Sequence, residues 1–145
     1  MIVYLDASAL VKCYVSEQSS RAVLSLMKKA SAVGTAAISR AEVSAAVSKA
    51  IRMKVLTQSE ASSALQSATE DWENLMRLQI TEGLIARASV LAWSHGLMGY
   101  DAVHLAAAVF WQEMLGEDVC LATYNPQLWQ AAVNINGIIA WPASL

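Results

Sequence analysis

A few polar residues stand at the margins of apolar runs in this chain, and their types suggest chemistry. Asp6 closes the run "IVYL", with Ser8 two residues on. Glu42 comes shortly after "GTAAI", Asp101 opens the long apolar stretch "AVHLAAAVFWQEML", and Asn125 follows "CLATY". A charge at the edge of an apolar core is unfavourable without a partner, so Asp6 must be a helix cap, an ion-pair partner or a metal ligand. Carboxylates brought together repel, and their burial is favourable only when a cation neutralises them. Hard divalent ions meet that need: Mg²⁺ and Mn²⁺ take oxygen ligands, and Mg²⁺ is commonly held by one or two carboxylates together with substrate phosphate. The implied chemistry is metal-assisted attack of water on a phosphodiester. Asp6, Glu42 and Asp101 are the candidate metal ligands, with Ser8 and Asn125 as further candidate site residues.

Each of these positions also has a local reading. Ser8 can cap a helix, Ser39 and Glu42 form an S-x-x-E capping box, Asp101 suits the first turn of a helix through its dipole, and Asn125 before Pro126 is a strong N-cap. Taken singly, Glu42 and Asn125 read as caps. Asp6 is harder to dismiss as a cap alone, because Ala7 or Ser8 could start the helix without a charge. The set carries the metal reading, not any one member. His104 lies three residues after Asp101 and shares its helix face, where it packs or holds a neighbour. His95 precedes Gly96 at a helix end that favours a cation. Lys12 and Arg40 are the bases best placed to touch a phosphate.

The elements that must bring these residues together alternate. "IVYL" is a continuous apolar run of strand length, which suits a strand buried on both faces of a parallel sheet. A helix follows over residues 8–30, with a break near Ser16. "VGTAAI" reads as a second strand, and "SRAEVSAAVSKAIRMK" as a helix with Val43, Ala46, Val47, Ala50 and Ile51 on one stripe. A capping box at Thr57 and Glu60 opens the next helix. "RLQI" is a weak strand, "EGLIARASVLAWSHG" a helix with a glycine stop, and "YDAVHLAAAVFWQEML" a helix apolar enough to be central. "DVCLAT" is a strand, "NPQLWQAA" starts a helix with Asn at the cap and Pro at the first position, and "GIIAW" is a last strand. Strands alternating with helices mean a parallel sheet covered on both faces. In such sheets ligands bind outside the carboxyl ends of the strands, where Asp6, Glu42 and Asn125 fall.

Composition bounds the rest. The 145 residues are 56% hydrophobic and 15% charged, below the roughly 25% charged that is usual, so the chain should fold with an apolar surface that demands a partner. The length suits one domain over residues 1–145. No apolar stretch reaches the roughly 20 residues of a membrane span, and no basic leader precedes the first strand, so the expectation is a cytoplasmic protein without membrane association. Cys13 and Cys120 lack zinc spacing and read as reduced, buried thiols. Residues 1–54 hold eight bases against three acids, net +5, while the remainder holds two bases and nine acids, net −7. A basic half suits a polyanion or an acidic partner. The five tryptophans fall mostly in apolar stripes and read as core or interface.

The pieces "VYLDASALVK", "SRAEVSAA", "GYDAVHLAAA" and "CLATYNPQLWQAA", in this order over nearly the whole chain, resemble the PIN-domain family, specifically the VapC-type toxins of bacterial toxin–antitoxin pairs. The resemblance implies a three-layer α/β/α domain around a short parallel sheet and a Mg²⁺- or Mn²⁺-dependent endoribonuclease acting on RNA. It further implies a homodimer and neutralisation by a small antitoxin. By position, Asp6, Glu42 and Asp101 are the acidic metal-site residues and Ser8 the hydroxyl beside them. One departure stands out: where the family has an acid in a T-x-D pattern, this chain has Thr123-Tyr124-Asn125. An amide carbonyl can ligate a metal or orient water but brings no charge, so the competing reading is a PIN-like binding module with weak or no nuclease activity. Other phosphate chemistries fit less well. A haloacid-dehalogenase-type enzyme needs a second acid at D-x-D, where Ser8 stands, and neither G-x-G-x-x-G nor a P-loop occurs.

Overall fold

The computed structural model describes residues 1–145. Five strands, β1 (Ile2–Leu5), β2 (Ala32–Ala36), β3 (Met76–Leu78), β4 (Val119–Ala122) and β5 (Ile138–Trp141), form one sheet in the order β3-β2-β1-β4-β5. Every pairing is parallel, with Val3 opposite Val33 on one side and Cys120 on the other. β1 is central and all four of its residues are buried, as its unbroken apolar run requires when both faces are covered. The chain leaves β1 toward β2 and β3, then crosses to β4 and β5. The carboxyl ends of β1 and β4 therefore lie side by side at the point where the order reverses, the usual location for a ligand in an open α/β sheet.

Alternation along β1 assigns the layers. Ile2 and Tyr4 face one core with α5 (Glu82–His95), α6 (Gly99–Leu115) and α7 (Pro126–Val133). Val3 and Leu5 face the other, with α1 (Ala7–Leu10), α2 (Ser20–Lys29), α3 (Ser39–Arg52) and α4 (Gln58–Asp71). The result is the expected three-layer α/β/α sandwich. α6 lies on β2 closely enough that a Cβ on Gly34 would stand 2.7 Å from the Trp111 ring, so only glycine fits there without a shift. No helix is long and apolar enough to cross a membrane.

Most local signals act as their chemistry predicts. Thr57 and Glu60 form the reciprocal capping box of α4, and α5 stops at Gly96 in the left-handed conformation (φ 64°). The segment expected as one interrupted helix over residues 8–30 is two short turns and then α2, separated by residues 14–19. Ser39 is not a cap. It lies inside α3, whose capping position is Ile38 and lacks a side-chain bond. The Thr35 hydroxyl donates to the Leu5 carbonyl at 2.7 Å, so the 2.6 Å contact between Thr35 and Ser39 has Ser39 as donor. That fully buried pair fastens the start of α3 to the ends of β1 and β2. Cys13 and Cys120 are free thiols, both pushed up chiefly by burial, to about 12 and about 11.

Candidate active site

Asp6 is the first residue after β1, and it has several tasks. Extended backbone (φ −75°, ψ 175°) makes it the N-cap of α1, with Oδ1 accepting the Ala9 N–H at 2.9 Å. The Ser8 hydroxyl donates to the same oxygen at 2.7 Å, and the Thr123 hydroxyl donates to Oδ2. Those hydroxyls are fixed in turn by the β4–α7 turn: Ser8 Oγ accepts from the Tyr124 N–H at 2.8 Å, and Thr123 Oγ1 from the Asn125 N–H at 3.0 Å. The two adjacent turns are thus sewn together through one carboxylate. Ser8 is a link in this stitching and does not cap α1. Thr123, fully buried, stands in the sequence only as the first member of the T-x-D pattern, and its role as a donor to Asp6 is not readable there because the two residues lie 117 positions apart.

Asp101 occupies the first turn of α6 and is 5% exposed. Its Oδ2 accepts from the Asn125 side-chain N–H at 3.0 Å. Asn125 is the N-cap of α7, its amide oxygen accepting from the N–H groups of Gln127 and Leu128 at 3.0 and 3.2 Å. Asn125 therefore caps α7 and at the same time contacts Asp101. Its carbonyl, however, is engaged by α7, so the amide meets Asp101 with its donor end and offers no ligand oxygen.

Glu42 lies in the first turn of α3, but not as a cap. Its Oε1 is 2.6 Å from His104 Nε2, and His104 Nδ1 is 2.8 Å from the Tyr4 hydroxyl. His104 and Tyr4 are 1% and 0% exposed, and their rings meet edge to face with centroids 5.9 Å apart. His104 thus holds a neighbour, as its position beside Asp101 suggested. Tyr4 was not foreseen, since a tyrosine inside an apolar strand reads as core.

The electrostatics tie these groups to one edge of the sheet. Burial pushes the Asp6 carboxyl up, opposed by the field of His104 and by the bonds from Thr123, Ser8 and Ala9. Burial also pushes Asp101 up; the Asn125 bond pulls it back, and the charges of Asp6 and Glu42 raise it further. No lysine or arginine pairs with any of the three acids: the ion pairs are Lys12–Glu17, Arg87–Glu113 and His104–Glu42. Two buried carboxylates without a cationic side chain, presenting only hard oxygen donors, suit a hard divalent ion. No three His, Cys, Asp or Glu side chains are gathered tightly enough to enclose a metal by themselves. Mg²⁺ does not need that, since it keeps several waters and is commonly held by one or two carboxylates.

The nearby bases divide. Lys12 is occupied internally, bonding Glu17 and the Gln18 carbonyl at 3.1 Å and lying 4.5 Å above the Tyr124 ring. Arg40, two residues before Glu42, has no acidic partner, and its guanidinium lies 6.0 Å from the Trp72 ring centroid. It is the freer of the two to meet a phosphate.

Fold and site together define an α/β domain with an acidic centre at the carboxyl edge of an all-parallel sheet. The chain belongs to the PIN-domain family: residues 3–128 match the family model described as "PIN domain". Its likeness is to the VapC type. Ribonuclease VapC45 of Mycobacterium tuberculosis is 35% identical over 108 residues, 74% of this chain and 75% of that protein. Among solved structures, a toxin–antitoxin complex from Klebsiella pneumoniae aligns with a TM-score of 0.66 at 16% identity, covering 94% of this chain and 95% of that one. VapBC2 from Rickettsia felis, bound to a DNA fragment from its promoter, aligns at 0.62 and 18% identity over 97% of both chains.

Proposed function

We propose that this protein is a metal-dependent endoribonuclease that acts as the toxin of a toxin–antitoxin pair, using Mg²⁺ or Mn²⁺ bound with its waters at the edge shared by Asp6, Asp101 and Glu42. The observation that carries this reading is the pair of buried carboxylates, Asp6 and Asp101, at the sheet's switch point without a cationic side chain. The 35% identity to a protein named a ribonuclease supports the reaction class. A bound ion would supply Lewis acidity, polarising the phosphoryl oxygen and making water a stronger nucleophile. The chain's own residues set the scene for that step. Ser8, Thr123 and the Ala9 N–H hold Asp6 in one orientation, Asn125 holds Asp101, and Arg40 offers a positive contact to the RNA backbone.

The test is cleavage of a structured RNA by purified protein in EDTA, Mg²⁺ and Mn²⁺, beside an Asp101→Asn control. Cleavage restored by either ion and absent from the control supports the reading. Metal-independent cleavage, or equal cleavage by the control, refutes it. The alternative, a binding module without nuclease activity, is favoured by one observation: Asn125 brings no charge and no free carbonyl to the centre. RNA binding without cleavage in any metal would select it.

The same reading covers partners, domain and location. A small antitoxin is the expected partner, in keeping with the likeness to a solved toxin–antitoxin complex. A homodimer is supported by α5, where Trp93 is 91% and Val90 64% exposed, more apolar surface than a lone helix face favours in water. If that face pairs, Trp93→Glu should convert a dimer to a monomer in light scattering. The two cores on opposite faces of one sheet support a single domain over residues 1–145, acting in the cytoplasm beside its RNA substrate.

A further inference from the structure

Tyr4 and His104 place a hydroxyl and an imidazole inside a core otherwise built from residues such as Ala102, Leu105, Ala106 and Leu121. Apolar side chains would fill that volume without polar atoms to satisfy, so a buried polar pair here calls for a reason. The donors run in one direction. An ionised Glu42 can only accept, so His104 Nε2, 2.6 Å from Oε1, carries the proton. Nδ1 lies 2.8 Å from the Tyr4 hydroxyl, and in the Nε2–H tautomer that hydroxyl donates to it. Burial, with the negative charges of Asp6 and Glu42, keeps the Tyr4 phenol protonated and able to serve as that donor.

The chain crosses the molecule. Tyr4 lies on central β1 and His104 on α6, both on one face, while Glu42 comes from α3 on the other. Its Oε1 is therefore held from the opposite layer, over the carboxyl edge of the sheet. Glu42 Oε2 makes no hydrogen bond to the protein. An imidazole suits this task because its second ring nitrogen is itself held by a buried partner. It fixes a carboxylate with a short, directional bond.

We infer that Tyr4 and His104 are positioning residues: a buried hydrogen-bond chain that holds Glu42 oriented toward the edge it shares with Asp6 and Asp101. This rests on the reading of that edge as a metal-dependent nuclease centre.

Two measurements test it. In metal-free wild-type protein, ¹⁵N NMR of the His104 ring should show a proton on Nε2 and none on Nδ1; the opposite tautomer overturns the inference. The second is Mn²⁺ affinity by calorimetry, with RNA cleavage beside it, for Tyr4→Phe, His104→Phe, His104→Gln, Glu42→Gln and the His104→Phe/Glu42→Gln double variant. His104→Phe should lose about 10- to 100-fold in affinity or rate. His104→Gln, which keeps an N–H donor near the Nε2 position, should recover most of it, and Tyr4→Phe should lose less than His104→Phe. In the Glu42→Gln background His104→Phe should cost nothing more. A loss from His104→Phe that persists undiminished in that background would mean a packing role and overturn the inference, as would wild-type behaviour of His104→Phe. Glu42→Gln matching wild type in both assays would bring down the reading of Glu42 itself, and the inference with it. Because the tautomer measurement needs no variant, poor folding of His104→Phe leaves the question decidable.

Discussion

Replacing Asn125 with Asp tests the centre most directly, because one atom changes and two forces respond with opposite sign. The α7 cap survives: one carboxylate oxygen takes over the bonds from Gln127 and Leu128, and Asp caps as well as Asn. The other oxygen replaces a donor that lies 3.0 Å from Asp101 Oδ2, turning a hydrogen bond into a meeting of like charges. Two unit charges about 4 Å apart repel by about 4 kcal/mol at an effective dielectric of about 20. Side-chain rotation, water and a shared proton should reduce the net penalty to about 1–3 kcal/mol. At about 2–4 °C for each kcal/mol in a chain of this size, the loss is readily seen by thermal unfolding in EDTA. The sign with pH follows from linkage. A carboxyl raised in the folded state, as Asp101 already is through burial, leaves stability intact below the unfolded carboxylate range and removes it as pH rises through the folded value. The deficit should therefore be small near pH 4 and full at pH 8. Saturating Mn²⁺ reverses the effect, since the added charge then faces a dication. Metal-induced stabilisation should exceed that of wild type, and half-maximal cleavage should need less metal. Unchanged stability in EDTA at pH 8 together with coincident metal titrations would show that residue 125 feels neither Asp101 nor an ion.

Asp101→Asn should abolish cleavage while raising metal-free stability at pH 8 in thermal unfolding, because it removes a buried charge and keeps an acceptor for Asn125. Thr123→Val deletes the hydroxyl that donates to Asp6 Oδ2 without changing side-chain shape; we expect about 1–3 kcal/mol of destabilisation by urea unfolding and weakened cleavage, both rescued by Thr123→Ser. Gly34→Ala drives a methyl against the Trp111 ring and should cost about 1–3 kcal/mol in urea unfolding with altered tryptophan fluorescence.

The layers and most elements were legible because their signals are local and redundant. The apolar run Ile2–Leu5, the Thr57 and Glu60 box and the Asn125-Pro126 start each act within a few residues of themselves. The carboxylates could be singled out by position, since each follows a strand or opens a helix. Their partners could not. Thr123 reaches Asp6 across 117 positions and Tyr4 reaches His104 across 100, and no periodicity encodes such pairings. The S-x-x-E at Ser39 misled for a related reason. Thr35 offers Ser39 a buried acceptor, and that tertiary bond outcompetes the local cap the spacing suggests.

The stitching of Asp6 to Thr123 and Asn125 to Asp101 also governs when activity can begin. β1 must wait for β4, with Ile2 finding Val119, before the turn that carries Thr123 and Asn125 exists in its final place. Pairings so distant in sequence form late, because loop closure precedes their reward. A nascent chain that has emerged through α6 already carries Asp6, Glu42 and Asp101, with Ser8 and the Ala9 N–H on the first, yet lacks the Thr123 hydroxyl on Asp6 Oδ2 and the Asn125 amide on Asp101. For a protein proposed to cut RNA, the centre is therefore completed only when β4 and the turn after it are in place.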